Sequence, residues 1–238
     1  MAALLDVAGL SLAFGGVRAL SDVDWRIEEG AVAALIGPNG AGKTTLFNCI
    51  TGFLKPLPGS KVVYDGRDVT SWTTNRLAVA GLLRTFQHPK SFSGLTVREN
   101  ITAAARIRGN LSRADAVLRA SELDEFADRP ASQCPYGVIR RLNIAMAMAA
   151  KPRLVMLDEP AAGLNDSERQ VLARNIRGMR SDGCTVVLVE HDMNFVMSLA
   201  DRVTVLDAGR VLTQGTADEV TSHPEVIRVY LGQYDAAS

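Results

Sequence analysis

Residues 37–45 read Gly-Pro-Asn-Gly-Ala-Gly-Lys-Thr-Thr, directly after the apolar run Val32–Ile36 and directly before the helical stretch Leu46–Gly52. Gly37, Gly42, Lys43 and Thr44 occupy the fixed positions of the pattern G-x-x-x-x-G-K-[ST]. Glycines let the backbone curl so that several N–H groups point inward beside the positive end of the next helix, which suits a phosphate. Lys43 then reaches the β- and γ-phosphates, and the Thr44 hydroxyl holds Mg²⁺. Pro38, Asn39, Gly40, Ala41 and Thr45 complete the candidate cradle. The alternative is a glycine-rich strand–helix turn without a ligand. At average residue frequencies the four fixed positions arise by chance in about one chain of this length in a hundred.

Outward from that loop, four short runs are almost continuously apolar: Val32–Ile36, Leu154–Leu157, Thr185–Val189 and Val203–Leu206. Parallel strands covered on both faces look like this, since no polar alternation is needed. Leu172, Ile176 and Met179 recur at helical spacing between them, and Asn165 with Glu168 makes a capping box. These features predict an α/β fold, a sheet with helices on both faces. In residues 94–150 the strand signal vanishes. Leu111, Ala114 and Leu118 recur at helical spacing about a Ser112 cap, and Ile144, Ala147 and Met148 follow later, which predicts an all-helical insert. Residues 4–28 alternate (Leu5, Val7; Val23, Trp25, Ile27) and predict an antiparallel sheet. The tail after Tyr234 reads as disordered.

The chain has 238 residues with 26 basic and 26 acidic side chains, so bulk attraction to nucleic acid or an anionic membrane is not indicated. Its 47% apolar and 22% charged content is that of a globular protein. The longest apolar runs reach about seven residues against the roughly 20 of a membrane span. The N-terminus lacks the features of a secretion signal. Cys49, Cys134 and Cys184 are odd in number and widely spaced, which argues against a disulfide framework or zinc ribbon and suits a reducing cytosol.

The run Leu154–Pro160 places Asp158 and Glu159 at the end of an apolar strand. Ligands of open α/β sheets sit beyond the carboxyl ends of strands. One carboxylate holding Mg²⁺ and the next orienting water is what phosphoryl transfer needs, which assigns Asp158 to the metal and Glu159 to the water. Without the phosphate loop the pair would read as a solvated helix cap. His191 also follows a strand; His191 and Gln87 are unremarkable singly.

Together these residues resemble the nucleotide-binding subunit of an ABC transporter, from Leu4 to about Leu231. Phe14 resembles the aromatic that stacks on adenine. Gln87, in Arg84-Thr85-Phe86-Gln87, matches the glutamine that approaches Mg²⁺ and opens the helical subdomain facing the membrane partner. Asp158 and Glu159 match the metal aspartate and catalytic glutamate, and His191 matches the switch histidine at the γ-phosphate. Ala162–Asn165 stands where the family has its dimer-contact loop, with Asn165 in place of the usual aspartate.

The resemblance implies a P-loop NTPase core with a mainly parallel sheet, an N-terminal antiparallel β subdomain and an inserted α-helical subdomain. Within one nucleotide-binding domain (1–238) it assigns 1–87 and 151–220 to the core with its β subdomain, 88–150 to the helical subdomain, and 221–238 to a C-terminal helix and tail. It implies ATP and Mg²⁺ as ligands and ATP hydrolysis as the activity. Expected partners are transmembrane permease subunits, a second ATPase subunit (a related chain or another copy) and, indirectly, a periplasmic binding protein, with no nucleic acid. The expected location is peripheral, on the cytoplasmic face of the cell membrane.

LFNCITGF, RTFQ, DEPAAGLN, EHDMNFVM and the ending VIRVYLG are similar to an ATPase of branched-chain amino acid importers; urea and short-chain amide importers carry very similar subunits. The departure is the signature, near L-S-G-G-Q in the family and here Cys134-Pro135-Tyr136-Gly137-Val138. Asn143 and Met146 replace a glutamate and an arginine usual further along. A serine hydroxyl on a charged phosphate is worth roughly 1.5–3 kcal/mol, so its loss weakens closure on a partner's ATP about ten- to a hundredfold. An asymmetric pair with one weak site is expected; the alternative is that these are drifted helix-start residues whose backbone amides still suffice. Rival readings are a non-transport ABC ATPase and a weakly hydrolysing, nucleotide-dependent assembly subunit.

Overall fold

The computed structural model describes residues 3–87 and 90–235, with side chains up to 229. Residues 236–238, most of the tail read as disordered, lie outside the described residues, as does His88, at which the helical insert was placed to begin. Two compact units emerge: Met1–Leu77 with Val187–Ser238, and Ala78–Val186.

The first unit opens with two long strands, β1 (Ala3–Phe14) and β2 (Val17–Glu28), paired antiparallel. In β2 the apolar Val23, Trp25 and Ile27 are buried while Asp22, Asp24, Arg26 and Glu28 face solvent, the period of two that a half-buried strand requires. The β1 register slips between Val7 and Leu10, where Gly9 adopts φ +57° and donates its N–H to Asp24 Oδ1 at 2.8 Å. A residue with positive φ inside a strand is the mark of a bulge. β3 (Val32–Ile36) is buried along its length and runs into α1 (Lys43–Ile50), whose first turn lies inside the glycine motif rather than after it. β4 (Lys61–Tyr64) and β5 (Arg67–Asp68) complete the antiparallel sheet β2-β1-β4-β5, and α2 (Thr74–Ala80) spans the boundary between units.

The second unit holds β6 (Leu82–Arg84), then α3 (Val97–Arg106), α4 (Ala114–Ala120) and α5 (Tyr136–Ala149), then β7 (Leu154–Asp158) and α6 (Asp166–Ser181). β6 and β7 pair in parallel, Leu82 beside Leu154. Val97, Ile101 and Ala105 of α3 and Leu142, Ala145 and Ala149 of α5 supply core, all at helical spacing. Buried Asn100 donates to the carbonyls of Phe92, Leu95 and Thr96 and accepts the Phe92 N–H, binding the chain before α3 to that helix. The predicted capping box at α6 is present, with the Glu168 N–H donating to Asn165 Oδ1 and the Asn165 N–H to Glu168 Oε2, both at 3.0 Å. The Ser112 cap is not. Leu111–Arg113 forms a 3-10 turn that runs straight into α4, so no extended residue precedes the helix to cap it, and Leu111 is exposed.

β8 (Thr185–Val189) contains the second boundary. The chain then returns to the first unit with α7 (Met193–Met197), β9 (Arg202–Asp207), β10 (Arg210–Gly215), α8 (Ala217–Thr221) and α9 (Pro224–Asp235). The second sheet reads β10-β9-β3-β8 in the first unit and β8-β7-β6 in the second; β9 is parallel to β3 and antiparallel to β10. Buried Trp25 donates its indole N–H to Thr204 on β9 at 2.8 Å, satisfying the polar atom of the largest core side chain of its unit. The fold is α/β, with one antiparallel and one mixed, mostly parallel sheet. No helix among the described residues is long and apolar enough to cross a membrane.

Candidate functional site

In the first unit the sequence from β3 to α1 makes a loop that only glycine permits at two points. A Cβ on Gly37 (φ +151°) would lie 2.0 Å from the backbone oxygen of Leu206, and one on Gly42 (φ +103°) 2.8 Å from that of Ala19. Backbone cannot swing aside as a side chain can, so these approaches exclude every L side chain. Gly42 is the left-handed N-cap of α1, whose first N–H groups receive no side-chain cap and no acidic neighbour. With no side chain capping that start, the helix dipole favours an anion there. Lys43 is buried, and its ammonium donates to the carbonyls of Gly37 (2.6 Å) and Pro38 (2.8 Å), within the loop. Asn39, Gly40 and Thr44 are exposed, Ala41 is buried, and Thr45 is half-buried.

Phe14 ends β1 at the β1–β2 turn and is 51% exposed, a bare ring that can stack on a flat partner. His191 is exposed just past β8; its N–H donates to Glu190 Oε2 at 3.2 Å, and Asp192 beside it caps α7. These residues belong to the first unit.

The second unit carries the acidic pair. Asp158 closes β7, buried, with its Oδ2 2.7 Å from Arg84 Nη2; both side chains are only 6% exposed. Losing one member of such a pair leaves an uncompensated buried charge, costing about 3–5 kcal/mol. Glu159, the next residue, has φ +46°, a left-handed conformation that costs a side-chain-bearing residue about 1–2 kcal/mol. Its Oε2 accepts a 2.8 Å hydrogen bond from Gln87 Nε2. The structure thus brings Gln87 to Glu159 and Arg84 to Asp158, across the paired strands β6 and β7. Phe86 lies between them in sequence, with the Arg84 guanidinium 5.4 Å from its ring centre.

Behind Glu159 stands Arg140 of α5, buried, donating to the carbonyls of Glu159 and Gln87 and to the Tyr136 hydroxyl. Sequence reading passed over both arginines. Arg84 was visible in the quoted Arg84–Gln87 stretch. Arg140 could not be told from Arg141, which turns the other way to bond the Glu122 carbonyl.

The segment 134–138 begins α5. Pro135 is its N-cap and makes no side-chain cap bond; Pro135 and Tyr136 are exposed, and Cys134 is partly covered, its burial raising the thiol pKa. A Cβ on Gly137 would lie 2.3 Å from Glu168 Oε1, so this turn packs on the capping box of α6. Val138 is 4% exposed and serves the core of its unit. Its side chain offers nothing to a molecule outside.

The residues fit a nucleoside triphosphate with a divalent ion. Gly37 and Gly42 are held where only glycine fits, α1 has uncapped amides, and the buried lysine is turned into the loop. No group of three or more metal-binding side chains exists among the described residues, so an ion here would take most ligands from phosphate and water, as Mg²⁺ does.

A family model described as ABC transporter matches residues 20–162, and one described as branched-chain amino acid ATP-binding cassette transporter matches residues 210–236. The chain is 40% identical to the high-affinity branched-chain amino acid transport ATP-binding protein BraF of Pseudomonas aeruginosa, covering 97% of this chain and 98% of that one. It is equally similar to LivG of Salmonella typhimurium, and 30% identical to a probable LivG of Archaeoglobus fulgidus over 98% of this chain and 97% of that one. Among solved structures, the ADP conformation of an ATP-binding cassette of an ABC transporter superposes with TM-score 0.86 at 27% identity, covering 98% of this chain and all of that one. A dimeric post-hydrolysis cassette bound to ADP and Pi gives TM-score 0.79 at 25% identity, covering 90% of this chain and 98% of that one. The chain belongs to the ABC transporter family of ATPase subunits and is homologous to those of branched-chain amino acid transport.

Proposed function

We propose that this subunit binds ATP with Mg²⁺ and hydrolyses it to energise uptake of branched-chain amino acids. The observation that carries the reading is the loop 37–45, where two glycines admit no side chain and Lys43 points inward above an uncapped helix start. In this reading the loop amides, Lys43 and Thr44 hold the phosphates and Phe14 lies against the base. When bound, Mg²⁺ would offset the negative charge of the phosphates; Thr44 in the first unit and Asp158 and Gln87 in the second are the residues that would hold it. Glu159 orients the attacking water and takes its proton, while His191 donates to the γ-phosphate, where preorganised donors lower the barrier most.

The subunit works as one of a pair, bound to transmembrane permease subunits at the cytoplasmic face of the membrane, with a periplasmic binding protein delivering cargo. Resemblance to relatives named for branched-chain amino acids supports that cargo over urea or amides. Residues 88–150 serve as the helical subdomain, 1–87 and 151–220 as the core, and 221–238 as the C-terminal extension. The exposed Pro135 favours a pair with a different ATPase, because it puts a ring where the family's serine would donate a hydroxyl.

Equilibrium binding of labelled ATP and phosphate release test the reading. Lys43→Ala is expected to lose saturable binding, and Glu159→Gln to bind ATP like the parent while turning over at least a hundredfold more slowly. Parent-like behaviour of both variants would remove the assignment.

A further inference from the structure

The mechanism above uses Glu159 and Gln87 by their side chains, yet the same two residues are also held by their backbones, through one buried side chain that no step employs. Arg140 reaches from the first turns of α5 and donates from one terminal nitrogen to the Glu159 carbonyl. The other donates to the Gln87 carbonyl at 3.2 Å. Its Nε and Nη2 also donate to the Tyr136 hydroxyl, at 3.1 and 3.0 Å. The guanidinium is therefore spent on two peptide carbonyls and one hydroxyl, while only 7% of the residue is exposed. Burying a charge this fully is costly unless its donors are matched, and here the donors of a rigid planar fork meet two carbonyls and a hydroxyl.

The peptide that it grips is unusual. Glu159 has φ +46°, and a left-handed residue bearing a side chain persists only where its surroundings hold it. Gln87, gripped by the same arginine through its carbonyl, donates its side-chain amide to the Glu159 carboxylate. At the far end of the fork, Tyr136 is 53% exposed and sits beside Pro135 and Gly137, so its ring is open to whatever closes on that turn.

We propose that Arg140 is a positioning residue for hydrolysis. It holds the Glu159 peptide in its left-handed conformation and ties it, with Gln87, to the first turn of α5 through Tyr136. The aim of the Glu159 carboxylate then depends on how that turn is seated, and contact made at Tyr136 reaches the glutamate through one side chain. The inference rests on the proposed role of Glu159 in hydrolysis and adds the group that aims it.

The test places Arg140→Gln, Arg140→Lys and Tyr136→Phe in this subunit of the assembled complex, read by phosphate release, labelled ATP binding and Tm. Arg140→Gln is expected to lower kcat tenfold or more, with KM and the stoichiometry of bound ATP within twofold of the parent. Arg140→Lys keeps the charge but replaces the spread planar fork with a compact ammonium, so its kcat should fall between the two. Tyr136→Phe removes only a hydroxyl from an exposed ring and should cost severalfold in kcat at unchanged KM. A purely structural arginine would lower bound ATP and Tm in step with kcat and show no rescue by lysine; that pattern, or a parent-like kcat in Arg140→Gln, overturns the proposal. A parent-like Tyr136→Phe overturns the link to α5. If Arg140→Gln does not fold, the other two variants decide: graded loss with intact binding sustains the proposal, and parent-like turnover in both sinks it. Failure of the wider reading looks different, since the parent itself would then not bind or hydrolyse ATP.

Discussion

Arg84 occupies the position that a cation must take to reach Asp158. Its guanidinium lies 2.7 Å from the carboxylate, both groups almost wholly out of water. Such a pair contributes mainly by not being broken, since an unpartnered carboxylate there costs about 3–5 kcal/mol. Arg84→Ala should therefore lower Tm by many degrees in the nucleotide-free protein. If Asp158 holds Mg²⁺ as proposed, the ion supplies the missing charge when Mg²⁺ and ATP are present, and the variant should recover more Tm than the parent gains. Calorimetric scans with and without the metal–nucleotide check this, and equal gains in both proteins would take Asp158 out of the metal site. Asp158 and Glu159 stood out from the sequence because two acids end an apolar run. Arg84 did not, because nothing in its spacing shows which carboxylate it meets.

Helix starts decide much of the second unit and the end of the first. Thr96–Glu99, Asn165–Glu168 and Thr216–Glu219 are complete capping boxes, each satisfying amide groups that a helix start leaves unpaired. Hydrogen bonds from Thr96 hold the Glu99 carboxyl below its ordinary value of 4.5, and those from Thr216 do the same for Glu219. A carboxyl with a depressed folded pKa stabilises fully above the unfolded value and loses that contribution as pH falls toward the folded one. Replacing Glu99 and Glu219 with Gln should thus lower the urea midpoint near neutral pH and flatten its decline below about pH 4.5. Urea titrations between about pH 3 and about pH 7 measure this; parallel curves for parent and variant would count against the assignment. The box at Asn165 was legible because its two residues are local in sequence. The Ser112 cap failed because the 3-10 turn Leu111–Arg113 carries the chain directly into α4, whose N-cap position, Arg113, is itself helical.

At the level of the whole molecule, the proposed pairing turns on the segment 134–138. Pro135 is exposed at the start of α5, whereas Val138 is buried, so the two departures from the family signature have different consequences. Restoring glutamine at 138 would bury an amide, at a cost of about 1–3 kcal/mol, without presenting it to a partner. Pro135→Ser alone is the informative change. It offers a hydroxyl at an exposed N-cap, a position that favours serine, and should raise phosphate release by the assembled pair severalfold. An unchanged rate in the purified complex would show that backbone amides at this turn already suffice.

The α/β class, the strands Val32–Ile36 and Thr185–Val189 to the residue, and the glycine turn between β3 and α1 were all determined by sequence alone. Each depends on local properties: continuous apolarity where both faces of a strand are covered, and glycine where the backbone must curl. Tertiary structure alone decided that Arg84 neutralises Asp158 and that Arg140, not Arg141, grips Glu159. It also decided that Val138 faces inward. Those outcomes depend on which side chains meet across segments far apart in the chain, and on which of two adjacent arginines a helix turns toward the strands.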